Sequence, residues 1–241
     1  MYMLGKKRTV LTAILVAVFA VPCVATTIEE VDKELTAAIK KTKSMKGKMK
    51  SNIDIAMNGM EMKSVSESTI ESVRDGDKFK MRTEGTAKST QKYGGNEQKK
   101  EESMLSICDG EFTYSMSESG GQKNVTKTEA MSGEDLPWSH YGDDVEITVL
   151  PDEKVDGADC YAVEMKRKEG APGMGMGKMV FYCRKDCGML VKNVGYTPEG
   201  KVMMTTVITD IELNKSIPAD RFVFKAPEGV QILDMTKPAT P

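Results

Sequence analysis

Between Met45 and Met57 the odd positions carry Met45, Gly47, Met49, Ser51, Ile53, Ile55 and Met57, and the even positions begin Lys46, Lys48, Lys50, Asn52, Asp54. A period of two sends these sets to opposite faces of a strand, one wet and one dry. A strand of a doubly covered parallel sheet would instead read as a near-continuous apolar run. Asn58-Gly59 follows, a pair that tolerates positive φ and closes a tight hairpin. The return strand carries Met60 and Met62 and runs on through Ile70 and Val73. Asp75-Gly76-Asp77 turns again, into a stretch where Phe79 and Met81 alternate with Lys78, Lys80 and Arg82. Three consecutive antiparallel strands form a meander.

The same rhythm continues to the C-terminus. Strands are expected at Met104–Cys108, at Phe112, Tyr114 and Met116 after the Asp109-Gly110-Glu111 turn, and at Val145–Leu150, Cys160–Arg167, Lys178–Arg184, Met189–Tyr196 and Lys201–Leu213. Residues 85–102, 118–126 and 128–144 are polar, lack periodicity and read as loops. One helix precedes all of this. Thr27 and Glu30 form a capping box, and Ile28, Val31, Leu35, Ala38 and Ile39 recur at helical spacing. Residues 26–241 therefore read as a single, mainly β (α+β) domain of roughly nine to eleven strands. It is one antiparallel sheet curled on itself, with the helix across its mouth. The enclosed interior is a core if filled and a ligand site if not.

Residues 1–25 read as a secretory signal: Lys6, Lys7 and Arg8, an apolar run from Val10 to Val21, and small residues before a cut after Ala25. The alternatives are a membrane anchor, for which a dozen apolar residues fall short of the roughly 20 a span needs, and a lipidated Cys23, which Pro22 fits poorly. Without residues 1–25 the chain keeps 31 Lys+Arg against 36 Asp+Glu, because the leader holds three cations and no acid. That balance gives no support to nucleic-acid binding, which needs a basic stripe to displace counterions. The expected product is an exported soluble protein, periplasmic in a bacterium.

Four cysteines follow the leader, Cys108, Cys160, Cys183 and Cys187. An even count in an exported chain reads as disulfides, with three connectivities open. The ends of the predicted strands favour Cys160–Cys183 with Cys108–Cys187. Zinc needs closer cysteine spacing or histidines, and His140 is the single histidine. No Ser/His/Asp constellation or phosphate-cradling loop is marked, so no enzyme and no cofactor are expected.

The run from Leu213 to Asp234 holds Ile217-Pro218, Phe222, Phe224 and Pro227-Glu-Gly-Val230. It reads as a polar corner, a short strand around Phe222 and Phe224, and a turn into a last strand. With Asp109-Gly-Glu-Phe-Thr-Tyr114 and Val155-Asp-Gly-Ala-Asp-Cys-Tyr-Ala-Val163, it resembles the periplasmic outer-membrane lipoprotein carrier and sorting family, the LolA/LolB-like proteins. The resemblance covers the chain after the leader. It implies an incomplete β-barrel of about eleven strands with a helical or loop lid. It also implies a monomeric carrier or chaperone for acyl lipid or lipoprotein, meeting inner- or outer-membrane acceptor proteins.

On that reading the cavity lining is Met49, Ile53, Ile55, Met57, Phe79, Met81, Phe112 and Tyr114, with Leu35 and Ile39 of the helix and Trp138 as lid. Leu136 and Tyr141 are further lid candidates. Two other readings stand beside it. One is an envelope sensor or scaffold with a filled core that binds another protein. The other is Cu(I) capture by thioethers, since Met57, Met60 and Met62 cluster, as do Met174, Met176 and Met179.

Overall fold

The computed structural model describes residues 26–57, 59–76, 78–130, 132–139, 141–168 and 175–236. Residues 1–25, read above as a signal, and Asn58, His140 and Met174 lie outside them. Helix α1 spans Ile28–Lys41 and starts as its sequence dictates. Thr27 N donates to Glu30 Oε2 at 2.9 Å, and Glu30 N donates to Thr27 Oγ1 at 3.3 Å. Glu29 and Glu30 sit in the first turn and Lys40 and Lys41 in the last, each sign opposing the helix dipole.

Twelve strands follow among the described residues: β1 Ser44–Met57, β2 Met60–Asp75, β3 Lys78–Tyr93, β4 Asn96–Cys108, β5 Phe112–Ser119, β6 Gln122–Glu129, β7 Val145–Val155, β8 Ala158–Arg167, β9 Lys178–Arg184, β10 Leu190–Tyr196, β11 Val202–Leu213 and β12 Ile232–Asp234. They form one sheet in the order β12-β6-β5-β4-β3-β2-β1-β11-β10-β9-β8-β7. β7 and β12 are its two edges, so the sheet curls without closing. The pairing is antiparallel except at β12, which lies parallel to β6 through Ile232 and Val125.

Two segments expected to be loops are strands. Residues 85–102 belong to the hairpin β3–β4, which turns at Gly94-Gly95 with φ of 55° and 84°. Much of 118–126 belongs to β5 and β6, joined at Gly120-Gly121. The ends of both hairpins, residues 91–101 and 120–124, are exposed, so their sequences need not alternate. Cross-strand charge pairs such as Lys88–Glu101 at 3.0 Å stand in for burial there. Conversely, the short strand expected around Phe222 and Phe224 is a 3₁₀ turn at Ala219–Phe222 followed by irregular chain.

The register explains the curl. On the inner face, the one that carries α1, β2 presents Ser64, Ser66 and Ser68, and β3 presents Gly85, Ala87 and Ser89. A Cβ on Gly85 would lie 2.2 Å from the Glu67 carbonyl oxygen and 2.4 Å from Ser68 Cβ. Small residues are what let the sheet bend this sharply towards its inner face.

The core is divided. On the inner face of β7–β10, α1 packs Val31, Leu35 and Ile39 onto Tyr161, Val163, Phe181 and Cys183, with Leu136 and Trp138 alongside. On the opposite face of the same strands, Val155, Cys160, Ala162, Val180, Tyr182, Val191 and Val194 form a second cluster. The β7–β8 turn reaches over that face, and Asp156 Oδ2 accepts from Asp210 N at 3.1 Å. A third, smaller cluster is centred on Met45, Ile70 and Ile208.

The four cysteines are free and buried. Cys183 is registered against Tyr161 and Cys160 against Arg184, so successive residues send the two thiols to opposite faces of the sheet. The expected Cys160–Cys183 bridge is ruled out by that geometry. Cys108 instead donates from Sγ to the Phe79 carbonyl at 3.4 Å. Burial pushes the Cys187 thiol up to about 11 and raises Cys160 and Cys183 as well, so all three stay protonated.

Candidate functional site

The residues expected to line one cavity separate into six places. Leu35, Ile39 and Trp138 are in the filled core beneath α1, at 0%, 5% and 3% exposure. Trp138 Nε1 donates to Asp32 Oδ1 at 2.9 Å, and its ring lies 6.0 Å from that of Phe181. Tyr161 also bonds to the helix, through Glu34. Burial, reinforced by that carboxylate, lifts the Tyr161 hydroxyl to about 12. These bonds tie α1 to the segment before β7 and to β8.

Met49 and Met81 flank the third cluster with Met189 and Leu213. Phe79 is on the inner face but is covered. Gly133 sits so close that a Cβ there would be 2.2 Å from the Phe79 ring, and the Arg74 guanidinium lies 6.0 Å from its centroid. Phe112 and Tyr114 are on the opposite face altogether. Strand parity puts them there with Ile107, and the chain after β11 folds back to cover them. The Tyr114 and Phe224 rings stack at 4.7 Å, and Lys127 Nζ stands 3.5 Å over Phe112. The sequence reading treated every apolar strand face as facing one interior, whereas this sheet has apolar cover on both sides.

Ile55 and Met57 do line an open site. Near the far end of the inner face, a cleft of about 700 Å³ runs between the β1–β2 hairpin and the ends of β8, β9 and β11. Its lining comprises Ile55, Met57, Met60, Met62, Tyr141, Met165, Arg167, Met176, Gly177, Lys178, Met179 and Met203. Seven of these twelve are methionine. Its size falls within the roughly 300–1,000 Å³ of small-molecule sites. Ile53 does not line it; its stretch of β1 borders a separate depression with Asn52, Val65 and Met204.

Cross-strand pairing builds the cleft. Met57 faces Met60 and Ile55 faces Met62 on one wall, and Met165 faces Met179 on the other. Met165 and Met179 also belong to the core beneath α1, so the cleft floor continues into packed interior. Gly175 and Met57 are in close approach, since a Cβ on Gly175 would lie 2.3 Å from Met57 Sδ. Met57, Met60 and Met62 of one sequence cluster thus share a site with Met176 and Met179 of the other. Met165 and Met203 were missed because neither belongs to the two methionine clusters visible in the sequence. Their only signal was even alternation, which does not say what lies opposite.

The polar rim is equally defined. Lys178 Nζ donates to Glu164 Oε2 at 2.6 Å and lies 5.0 Å from the Tyr196 ring centroid. The Glu164 hydrogen bond raises the Lys178 ammonium above its ordinary value. Among the described residues, no group of His, Cys, Asp or Glu could hold a metal ion, and no helix is long and apolar enough to cross a membrane.

No family model matches the sequence. No curated protein matches it either. Solved structures do. The chain is similar to an uncharacterized conserved protein from Thermus thermophilus, with a TM-score of 0.52 at 8% identity over 86% of this chain and 98% of that one. The likeness is one of fold. Fainter similarity extends to Pseudomonas aeruginosa MucB in its complex with MucA, with a TM-score of 0.49 at 13% identity over 81% of this chain and 60% of that one. A LolA superfamily protein from Nitrosomonas europaea is matched at a TM-score of 0.31 and 10% identity, over 83% of this chain and 99% of that one.

Proposed function

We propose that the chain is an exported, periplasmic carrier or chaperone, not an enzyme, that holds an acyl chain of a lipid or lipoprotein in the methionine cleft. The observation that carries this is the cleft itself: about 700 Å³ of largely apolar space on the inner face of an open sheet, beside a core that is already filled. Methionine is unbranched and polarizable, so its side chains adapt to a flexible guest. Burial is non-directional, and each fully buried apolar side chain contributes roughly 1.5–3 kcal/mol, so a few contacts hold a chain reversibly.

Two measurements test it. Mass spectrometry of an organic extract from protein purified without detergent should show bound lipid or fatty acid. Ile55→Asp, in the lining of the cleft, should weaken binding of a fluorescent fatty acid about 10- to 100-fold, the equivalent of removing one such contact. A clean extract and unchanged affinity in a folded Ile55→Asp protein would reject the reading.

The convergence of Met57, Met60 and Met62 with Met176 and Met179 also favours a second reading, Cu(I) capture by thioethers. Replacing Met57, Met60 and Met176 by leucine separates the two. Leucine keeps the volume and the apolar surface, so fatty-acid binding should persist while any Cu(I) affinity, measured against a chromogenic chelator, disappears.

A further inference from the structure

Beyond the apolar cleft, and sharing Arg167, Met176, Gly177 and Lys178 with it, lies a second depression of about 500 Å³. Its charged lining residues are Lys166, Arg167, Lys168 and Lys178, and no acidic residue lines it among the described residues. This is a local departure, since the chain as a whole is acidic by two charges. The pairing sharpens the point. Lys166 of β8 is registered directly opposite Lys178 of β9, an arrangement of like charges that destabilises a sheet. Glu164 answers Lys178, but neither Lys166 nor Lys168 has a salt-bridge partner among the described residues. The unfavourable pairing thus stands beside the apolar cleft, which shares Arg167, Met176, Gly177 and Lys178 with this depression, within reach of a polar head whose chain lies in the cleft.

Resting on the acyl-chain reading, we propose that this depression selects the headgroup: the ligand is an anionic amphiphile whose carboxylate or phosphate sits among Lys166, Arg167, Lys168 and Lys178 while its chain enters the methionine cleft. Opposite charge at the mouth relieves the Lys166–Lys178 repulsion on binding. Occupancy by an anion therefore stabilises the strand ends that form the cleft. Lys166 and Lys168 are exposed, so the attraction is screened by salt over about 10 Å at 0.1 M.

The test is calorimetric titration of the whole chain, without its leader, with three twelve-carbon probes used below their micelle concentrations: laurate, dodecyl phosphate and the uncharged dodecyl maltoside. Inorganic phosphate alone is the fourth ligand. At low salt both anions should bind at least tenfold more tightly than the maltoside, and 0.5 M NaCl should erase most of that preference. The double variant Lys166→Glu/Lys168→Glu should lose the preference and bind the maltoside as before. A preference for dodecyl phosphate over laurate would assign the head as phosphate, and the reverse as carboxylate. Equal binding of charged and neutral probes would overturn the headgroup site and leave the acyl reading standing. If no probe binds, both fall. Inorganic phosphate binding as tightly as dodecyl phosphate would overturn the coupling of head to chain.

Discussion

Truncating Leu35 separates a filled core from an open cavity at the helix end of the inner face. Leu35 is 0% exposed and sits between Val31 and Ile39 on the buried stripe of α1. The helix there is docked without slack. A Cβ on Gly188, in the turn between β9 and β10, would lie 2.4 Å from the Leu35 carbonyl oxygen. With so little freedom to collapse, Leu35→Ala should leave most of its cavity and cost about 2–5 kcal/mol. That is a large fraction of the 5–15 kcal/mol a domain commonly has. Trp138, the single tryptophan of the chain, packs in the same cluster, so its fluorescence in a urea titration reports on this region directly. Fatty-acid affinity of the folded variant should match the parent, because Leu35 does not line the methionine cleft. A loss below about 1 kcal/mol together with a tenfold change in affinity would refute the division into plug and cleft, and would put the ligand under the helix.

Gly85→Val should cost about 1–3 kcal/mol by forcing β2 and β3 apart where the sheet bends, read as a lowered denaturation midpoint; a neutral result would mean that the bend is not set at Gly85. Glu71 is 5% exposed on the face that the C-terminal segment covers, and it accepts from Arg221 Nε at 2.8 Å. Burial alone would raise its carboxyl, but Arg221 and Lys46 outweigh that and hold it below its ordinary 4.5. The stability it supplies is therefore complete above about pH 4.5 and is lost as pH falls through the lowered value, a loss that Glu71→Gln should remove from the acid-denaturation profile. Cys160, Cys183 and Cys187, raised by burial, should resist iodoacetamide at pH 8 in the native state and react together on unfolding; rapid native alkylation would contradict their burial.

Legibility tracked whether a rule was local. The capping box of α1 and the hairpins at Gly59 and Gly76 depend on neighbours in sequence, and each formed where its residues called for it. The β3–β4 and β5–β6 hairpins were not legible as strands. Alternation records burial, and these ribbons extend beyond what there is to bury. Their Gly94-Gly95 and Gly120-Gly121 pairs were the signal that could have revealed them. Ile55 and Met57 line the cleft because the apolar face of β1 turns towards it. Phe112 and Tyr114 were misplaced because an apolar face does not say which side of a sheet it will occupy.

By itself, the sequence determined a curled antiparallel sheet led by an amphipathic helix, since strand period, turn chemistry and helix capping are set by residues a few positions apart. Only the tertiary structure decided which apolar faces are filled and which stay open. Met57, Met60 and Met62 meet Met165, Met176, Met179 and Met203 across a gap of a hundred or more residues. The bend at Gly85, the plug formed by α1 and the fold-back of Phe222 and Phe224 settle the matter together. Each is a long-range contact whose partner no local pattern names.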